Sequence, residues 1–185
     1  KPYGDSIAYE GDFQKRLEKG EFTTADSVHF PDSLRFRTPS GRLVYGGGGI
    51  MPDVFVPLDS IYFSGLLSEI AYSGIIRDYC FTYLDSHRKE MRKYKSPDEF
   101  INKFNVSDVM LSGLIEMAEK EEIKINKQVV RKISPQLKSR IKGQFARSLF
   151  DDDAMVKVSL ESDPDFKRAL QVAQDYKQFA VVRKP

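Results

Sequence analysis

The sequence predicts a mainly α protein with a small β hairpin element near its amino-terminal end. From residue 59 onwards, apolar residues recur at steps of three and four, which is the spacing of amphipathic helices. Residues 34–56 instead hold short β-prone runs separated by Pro, Gly and Ser, which is typical of strands and turns. We therefore expect an entry segment with the β element over residues 1–58 and a helical carboxyl-terminal domain over residues 59–185.

The composition is that of a globular protein. Hydrophobic residues make up 41% of the 185 residues and charged residues 30%, so the chain can bury a core. The net charge of +2 argues against a general binder of polyanions, and the single cysteine, Cys80, excludes an internal disulfide. No apolar run approaches the ~20 residues of a membrane span. Because the chain opens with Lys1-Pro2-Tyr3, we expect it to be an excerpt of a longer protein.

The β element is predicted as three short strands. Residues 34–37 alternate apolar and polar side chains, and Thr38-Pro39-Ser40-Gly41 supplies the turn, since Pro presets φ and Gly accepts a positive φ. Residues 43–45 and 54–56 are the second and third strands. Such a small sheet is marginal by itself in water, so its free edges are expected to pair with another chain or with the tail, giving self-association.

Four consecutive glycines at residues 46–49 could suggest a phosphate-binding loop. Such a loop needs a Lys followed by Ser or Thr at the start of a helix. Here the glycines lead into Ile50-Met51-Pro52, and the proline disfavours a helical Met51. We therefore interpret the glycines as a close backbone crossing without room for side chains.

The β element resembles a peptidase signature. Thr38-Pro39-Ser40-Gly41-Arg42 and Gly49-Ile50-Met51-Pro52-Asp53-Val54 resemble the segment that follows the active site in C-terminal processing (tail-specific) serine peptidases. Residues 44–53 are similar to the form in envelope members from Bacteroides-like bacteria. Lys1-Pro2-Tyr3, residues 94–100 and Val106-Ser107-Asp108 also fit such proteins.

This resemblance implies that the catalytic residues of the family are outside this chain. The family uses a serine nucleophile and a lysine general base, which both lie upstream of the signature and would precede Lys1. The strands would belong to an α+β peptidase core, to which a short-helix bundle is appended. A location in the periplasm or cell envelope is implied, with upstream catalytic and peptide-binding domains and protein substrates as partners. We accordingly assign no catalytic, cofactor-binding or metal residue in this chain, and no cofactor.

The sequence predicts a helix in the entry segment and two further helices that Gly74 separates from each other. A helix between Asp5 and Gly20 is expected in the entry segment, and Ser60 is a suitable cap for residues 61–73. After Gly74, one apolar stripe follows the next helix, with charged residues on the other side. The stripe consists of Ile76, Tyr79, Cys80, Tyr83, Leu84, His87 and Met91.

The later helices have clearer start signals. Ser96-Pro97-Asp98-Glu99 is a capping box that opens a short helix to about Phe104, and Ser107 caps the following helix. Ser134-Pro135 is expected to begin an amphipathic helix, and Asp163-Pro164 the last one. The apolar residues of these helices are Met110, Leu111, Leu114, Ile115 and Ala118 on one face, Leu137, Ile141, Phe145 and Leu149 at steps of four, and Phe166, Leu170 and Ala173 in the last helix, with aromatic residues at Tyr176 and Phe179.

Three groups of reactive side chains have simpler explanations than catalysis or metal binding. Cys80 and His87 are seven helical residues apart, about 10 Å, which is too far for a nucleophile and its base. His29 has no Cys or His nearby at metal-ligand spacing. Asp151-Asp152-Asp153 lacks the calcium-loop pattern and suits the amino-terminal end of a helix over residues 154–160.

A basic segment without acidic residues extends from residue 123 to residue 150. It can bind nucleic acid, anionic lipid or an acidic partner, or it can be a solvated face balanced by Glu119, Glu121, Glu122 and residues 151–153. The balanced face is favoured, and with Phe145 as its only well-placed aromatic residue, nucleic acid is disfavoured. The basic residues are Lys124, Lys127, Arg131, Lys132, Lys138, Arg140, Lys142 and Arg147.

Three functions follow from these observations. The first is an inactive carboxyl-terminal part of a serine endopeptidase that cleaves proteins near their C-terminal tails, with a structural or oligomerisation role. The second is a non-enzymatic interaction or dimerisation module, which includes a homo-oligomer. The third, ranked last, is a basic helix that binds anionic partners.

Overall fold

A computed structural model describes residues 6–24, 27, 32–39, 41, 43–46, 54–59, 61 and 64–175. The chain divides into two compact units, one formed by Lys1–Asp59 with Arg168–Pro185 and the other by Ser60–Lys167. Helices dominate the described residues, which also hold one two-stranded antiparallel hairpin. The predicted class, mainly α with a small β hairpin element, is therefore confirmed.

The described residues of the first unit include one complete α-helix and the hairpin. Helix α1 spans Ser6–Glu18, and the chain leaves it through Gly20, whose φ of 76° ends the helix as predicted. After the helix, Phe22 lies against Phe13 with ring centroids 5.0 Å apart. Arg16 lies over the same Phe22 ring and pairs with Glu21 at 2.8 Å, so a small cluster fixes this turn.

The hairpin pairs strand β1, Arg35–Arg37, with strand β2, Leu43–Tyr45. These strands were predicted. The third predicted strand is wrong, because residues 54–56 are irregular and pair with no described strand. Apolar, β-prone residues form a strand only where a partner strand completes their backbone hydrogen bonds, and the sequence does not say whether one is present.

The second unit is a bundle of short helices around one long helix. Its long helix, α7, contacts five others in the unit, α2, α3, α5, α6 and α8, and forms its most extensive packing with α8. The helix bounds are α2 Gly65–Tyr72, α3 Ile75–Ser86, α4 Arg88–Met91, α5 Pro97–Lys103, α6 Asp108–Lys120, α7 Lys127–Leu149 and α8 Asp152–Ser162. Helix α9, Pro164–Gln174, follows α8.

The core of this unit is apolar throughout. The described residues include no fully buried polar or charged residue, and every buried apolar residue lies between Leu67 and Val158. Phe145 occupies the centre, with its ring 5.4 Å from Tyr83 and 5.6 Å from Phe104. Most of the apolar stripe predicted after Gly74 is buried or half-buried as expected, and Gly74 adopts a φ of 84° between α2 and α3.

Several predicted helix starts are confirmed by side-chain caps, and two are wrong. Ser96 and Ser107 each accept a hydrogen bond at 3.2 Å from the backbone N–H three residues later. The helix predicted over residues 61–73 begins at Gly65 instead, with an extended Ser64 before it. The helix expected to begin at Ser134-Pro135 begins at Lys127 and continues through the proline.

Several predictions fall on residues outside the described ranges. They concern the cap Ser60, His29, most of the glycine run at residues 47–49 and the signature residues 50–53. Tyr176 and Phe179 are outside them as well.

Candidate functional sites

The described part of the peptidase-like signature forms the turn of the hairpin. The backbone N–H of Gly41 donates to the Thr38 carbonyl oxygen at 2.8 Å, and Gly41 has a φ of 80°, which favours glycine. Arg37 Nη1 donates to the Gly41 carbonyl oxygen at 3.1 Å and fixes the far side of the turn. Residues 38–41 therefore act as the turn predicted for them, with Ser40 itself outside the described residues.

The two faces of the hairpin differ in character. Phe36 pairs with Val44 across the strands, and these side chains remain 54% and 37% exposed. A Cβ atom on Gly46 would come within 3.0 Å of Phe36 Cε2, so the glycine lets the ring lie over the backbone. On the other face, Arg35 lies over the Tyr45 ring at 5.9 Å. The hairpin thus presents an accessible apolar pair on one face.

Cys80 and His87 do not form a reactive pair. Cys80 is completely buried, its Sγ lies 3.8 Å from the Ile141 carbonyl oxygen, and burial raises the pKa of the thiol to about 12. His87 Nδ1 lies 3.0 Å from the Tyr83 carbonyl oxygen, and its ring stacks on the Tyr83 ring at 3.9 Å. Cys80 is therefore a packed thiol, as expected, and His87 closes the end of α3.

Two basic residues of α7 bind acidic residues at the beginning of neighbouring helices. Lys138 Nζ lies 2.6 Å from Asp108 Oδ1, and this hydrogen bond lowers the pKa of Asp108. Arg147 Nε lies 2.6 Å from Asp152 Oδ1. Asp152 is one of the acidic residues that were expected to balance the basic segment, whereas Asp108 lies thirty residues before its partner and was not predicted.

Lys142 joins three helices. Its Nζ donates to the Ile101 carbonyl oxygen in the last turn of α5 at 2.6 Å and lies 3.4 Å from Glu161 Oε2 on α8. The carbonyl is one that α5 cannot pair internally, so the lysine satisfies a helix end. These partners lie 41 and 19 positions away in the chain, so the spacing within α7 could not identify them.

The remaining basic residues near the start of α7 have no such partners. We call Lys124, Lys127, Arg131 and Lys132 the basic face; all four are exposed, and none forms an ion pair with a described residue. Arg140 is also exposed and forms no ion pair with a described residue. The acidic residues Glu119, Glu121 and Glu122, which were expected to balance this segment, form no ion pair within the described part either.

The acidic triplet caps a helix. Asp151 Oδ1 accepts a hydrogen bond from the Ala154 backbone N–H at 2.8 Å, and Asp152 and Asp153 lie in the first turn of α8. Negative charge at this end of a helix is favourable. A search of the described residues finds no group of three metal-ligating side chains.

The described helices have no membrane-spanning character: none is both long and apolar enough to cross a bilayer. Helix α9 has an apolar side that stays accessible, with Phe166 38% and Leu170 48% exposed. These side chains are four residues apart and so lie on one side of the helix.

Comparison with known proteins leaves the activity open. Residues 66–151 match the model of a family described as a family of unknown function, DUF8443. This match covers just under half of the chain and lies wholly within the helical unit Ser60–Lys167. No curated protein and no solved structure matches the chain. The chain is thus similar, over its helical unit, to proteins whose function is not known.

Proposed function

We propose that this chain is the carboxyl-terminal, non-catalytic region of a tail-specific serine peptidase of the periplasm or cell envelope. In this proposal the hairpin pairs with strands of an upstream catalytic core, and the helical unit has a structural or oligomerisation role. The serine and lysine of the reaction belong to the upstream core, as the resemblance implies.

The observation that carries the proposal is the accessible hairpin that bears the signature. Thr38 and Gly41 form its turn, and Phe36 and Val44 form an exposed apolar pair on one face. Within the described residues, the sheet has two strands. A two-stranded hairpin is marginal by itself in water, and an accessible cross-strand apolar pair is a surface that another element can cover.

The apolar core and the buried thiol of the helical unit are compatible with a structural role for that unit. Its core is apolar, and the thiol of Cys80 is buried with its pKa raised to about 12 by that burial, so it is a poor nucleophile near neutral pH. A nucleophile is activated by an adjacent base, by a lowered pKa or by a metal, and a buried thiol with a raised pKa does not fit that role. The proposal assigns the reaction to residues upstream of this chain because the family resemblance implies it.

The test combines the chain with the separately produced segment that its gene encodes upstream of Lys1. We expect the two to co-purify and the mixture, but not the chain alone, to cleave a peptide with an unstructured C-terminal tail. Phe36→Ser with Val44→Ser should weaken the association. Tyr72→Ser, which changes a 90% exposed residue of the helical unit, is the control and should not.

The proposal fails if the pure chain cleaves the peptide by itself, or if the upstream segment lacks the serine and lysine. It also fails if the hairpin variant associates as well as the control variant. Retained association would show that the apolar pair on the hairpin is not the contact with the upstream core.

The second candidate function is a self-associating interaction module. It is favoured by the exposed side of α9, where Phe166 and Leu170 are accessible. Light scattering over a range of concentrations tests it, and Phe166→Ser with Leu170→Ser should reduce the mass of any oligomer. A strict monomer at high concentration would exclude this function.

A further inference from the structure

The basic face is electrostatically unfavourable for the folded chain. Lys127 lies in the first turn of α7, where the helix dipole is positive, and no acidic residue lies in that turn. Lys127 and Arg131 are four residues apart, so their like charges are neighbours on the helix surface. Lys124 adds a further positive charge before the Asn126 cap. Folding therefore concentrates charges that repel one another.

Three basic residues in the second half of α7 stabilise the fold through bonds to other helices. Lys138 and Arg147 each bind a carboxylate, and Lys142 binds a helix-end carbonyl as well as Glu161. The basic face makes no such bond to a described residue, although Glu121 and Glu122 lie in the same connection between α6 and α7. None of these four charges pairs with an acidic residue in the part of the chain that the structure describes, so they are accessible to an anionic ligand.

The surroundings of the basic face select the kind of anion. A nucleic acid would need a longer basic track with aromatic residues, and residues 124–135 include no aromatic residue. A membrane helix would insert apolar side chains, but Ile133 and Leu137 of α7 are buried in the core. A short acidic segment of a protein needs neither aromatic residues nor inserted apolar side chains, only accessible cations, which these four residues supply.

We propose that the basic face, Lys124, Lys127, Arg131 and Lys132, binds a short acidic segment of a partner protein. Several Asp or Glu side chains of that segment pair with the four cations, and binding removes the repulsion between Lys127 and Arg131. This surface lies in the helical unit and does not depend on the peptidase assignment.

The experiment measures binding of a short fluorescein-labelled oligo-glutamate peptide to the full chain by fluorescence anisotropy at low and at physiological salt. The test variant is Lys127→Glu with Arg131→Glu. The matched control is Lys89→Glu with Arg92→Glu, two exposed and unpaired cations on and after α4, within the described residues. Both variants change the net charge equally, so a difference between them reports position.

We expect the peptide to bind the unmodified chain with a salt-sensitive affinity, and the test variant to bind about tenfold or more weakly, since exposed ion pairs are lost and repulsion replaces them. The control should change the affinity less than about twofold. Circular dichroism and thermal unfolding verify that both variants fold. If the charge reversal disturbs folding, Lys127→Gln with Arg131→Gln, against Lys89→Gln with Arg92→Gln, should give a smaller change in the same direction.

Three results would overturn the proposal. The first is no binding of the peptide, and the second is an equal loss of affinity in the test and control variants. The third is tighter binding of phosphatidylserine vesicles or single-stranded DNA than of the peptide, with the same dependence on Lys127 and Arg131, which would assign the surface to a different class of partner.

Discussion

Replacing Gly113 by alanine tests the packing of α3 on α6. A Cβ atom at Gly113 would come within 3.1 Å of Cε2 and Oη of Tyr79, which is buried in the core. Gly143 in α7 is the matched control, because its nearest such contact is Met155 Cγ at 3.4 Å, an ordinary contact with a flexible side chain. Both glycines lie inside helices of the same unit.

The expected effects have opposite signs. Alanine is favoured over glycine inside a helix by about 1 kcal/mol, so Gly143→Ala should raise the free energy of unfolding by about 0.5–1 kcal/mol. At Gly113 the same gain is opposed by overpacking against Tyr79, which costs about 1–3 kcal/mol. We expect Gly113→Ala to be destabilising by up to about 2 kcal/mol, and the two variants to differ by at least about 1 kcal/mol.

Urea denaturation followed by circular dichroism measures the free energy of unfolding of both variants. An unchanged slope of this free energy against urea concentration verifies that the substitutions change stability and not the surface exposed on unfolding. The close approach of Tyr79 to α6 would be refuted if Gly113→Ala stabilised the protein as much as Gly143→Ala does. A loss of stability in both variants would instead refute the assumption that the Met155 side chain can adjust.

Three further predictions concern the helical unit. Phe145→Ala should lower the free energy of unfolding by about 3–5 kcal/mol, whereas Phe81→Ala, at a 57% exposed position, should change it by less than about 0.5 kcal/mol in urea titrations. Because burial raises the pKa of Cys80 to about 12, iodoacetamide should alkylate it far more slowly in the native chain than in urea; equal rates would contradict the packed thiol. The Lys95 backbone N–H lowers the pKa of Glu99, so this carboxylate stabilises the fold above its unfolded pKa, and the stability is lost as the pH falls through the folded pKa. Glu99→Gln should therefore be less stable than the unmodified chain at pH 7, with the difference vanishing in strong acid; a difference that persists there would contradict this.

Local signals made much of the helical unit predictable. Ser96, Ser107 and Asp151 cap their helices through the backbone N–H three residues later, so both members of each bond are visible in a short stretch of sequence. The apolar spacing around Leu137 and Ile141 likewise identified core positions, which are completely buried. Caps and periodicity are properties of one helix and need no knowledge of its neighbours.

The start of α7 shows where local rules were insufficient. A proline favours the first helical turn, so Ser134-Pro135 was interpreted as a beginning. The helix instead begins after Asn126, whose side-chain oxygen accepts hydrogen bonds from the backbone N–H groups of Gln128 and Val129. The buried side chains of Ile133 and Leu137 flank the proline, and their packing holds the helix together across it. That compensation is tertiary and is not written in the local sequence.

The basic residues of residues 123–150 were also only partly predictable from the sequence. The sequence analysis found the basic segment as one feature, but the structure separates Lys138, Lys142 and Arg147, which bind other helices, from the basic face, which binds none of the described residues. Asp152 follows Arg147 by five positions, but the partners of the other two lie far away in the chain: Lys138 and Asp108 are separated by 30 positions, and Lys142 and the Ile101 carbonyl by 41. Spacing along one helix cannot reveal such partners, so charge alone could not distinguish structural cations from accessible ones.

The proposed peptidase resemblance is most specific over residues 38–57, in the unit that holds the hairpin. The family of unknown function matches residues 66–151, in the helical unit, where the proposed resemblance is carried by residues 94–100 and 106–108. All the buried core residues that the structure describes lie in the helical unit, so that unit has a core of its own. A helical unit with its own core can accompany a catalytic core without contributing to its chemistry. The role of the hairpin and the role of the basic face are therefore separate questions, and the variants of Phe36 and Lys127 answer them independently.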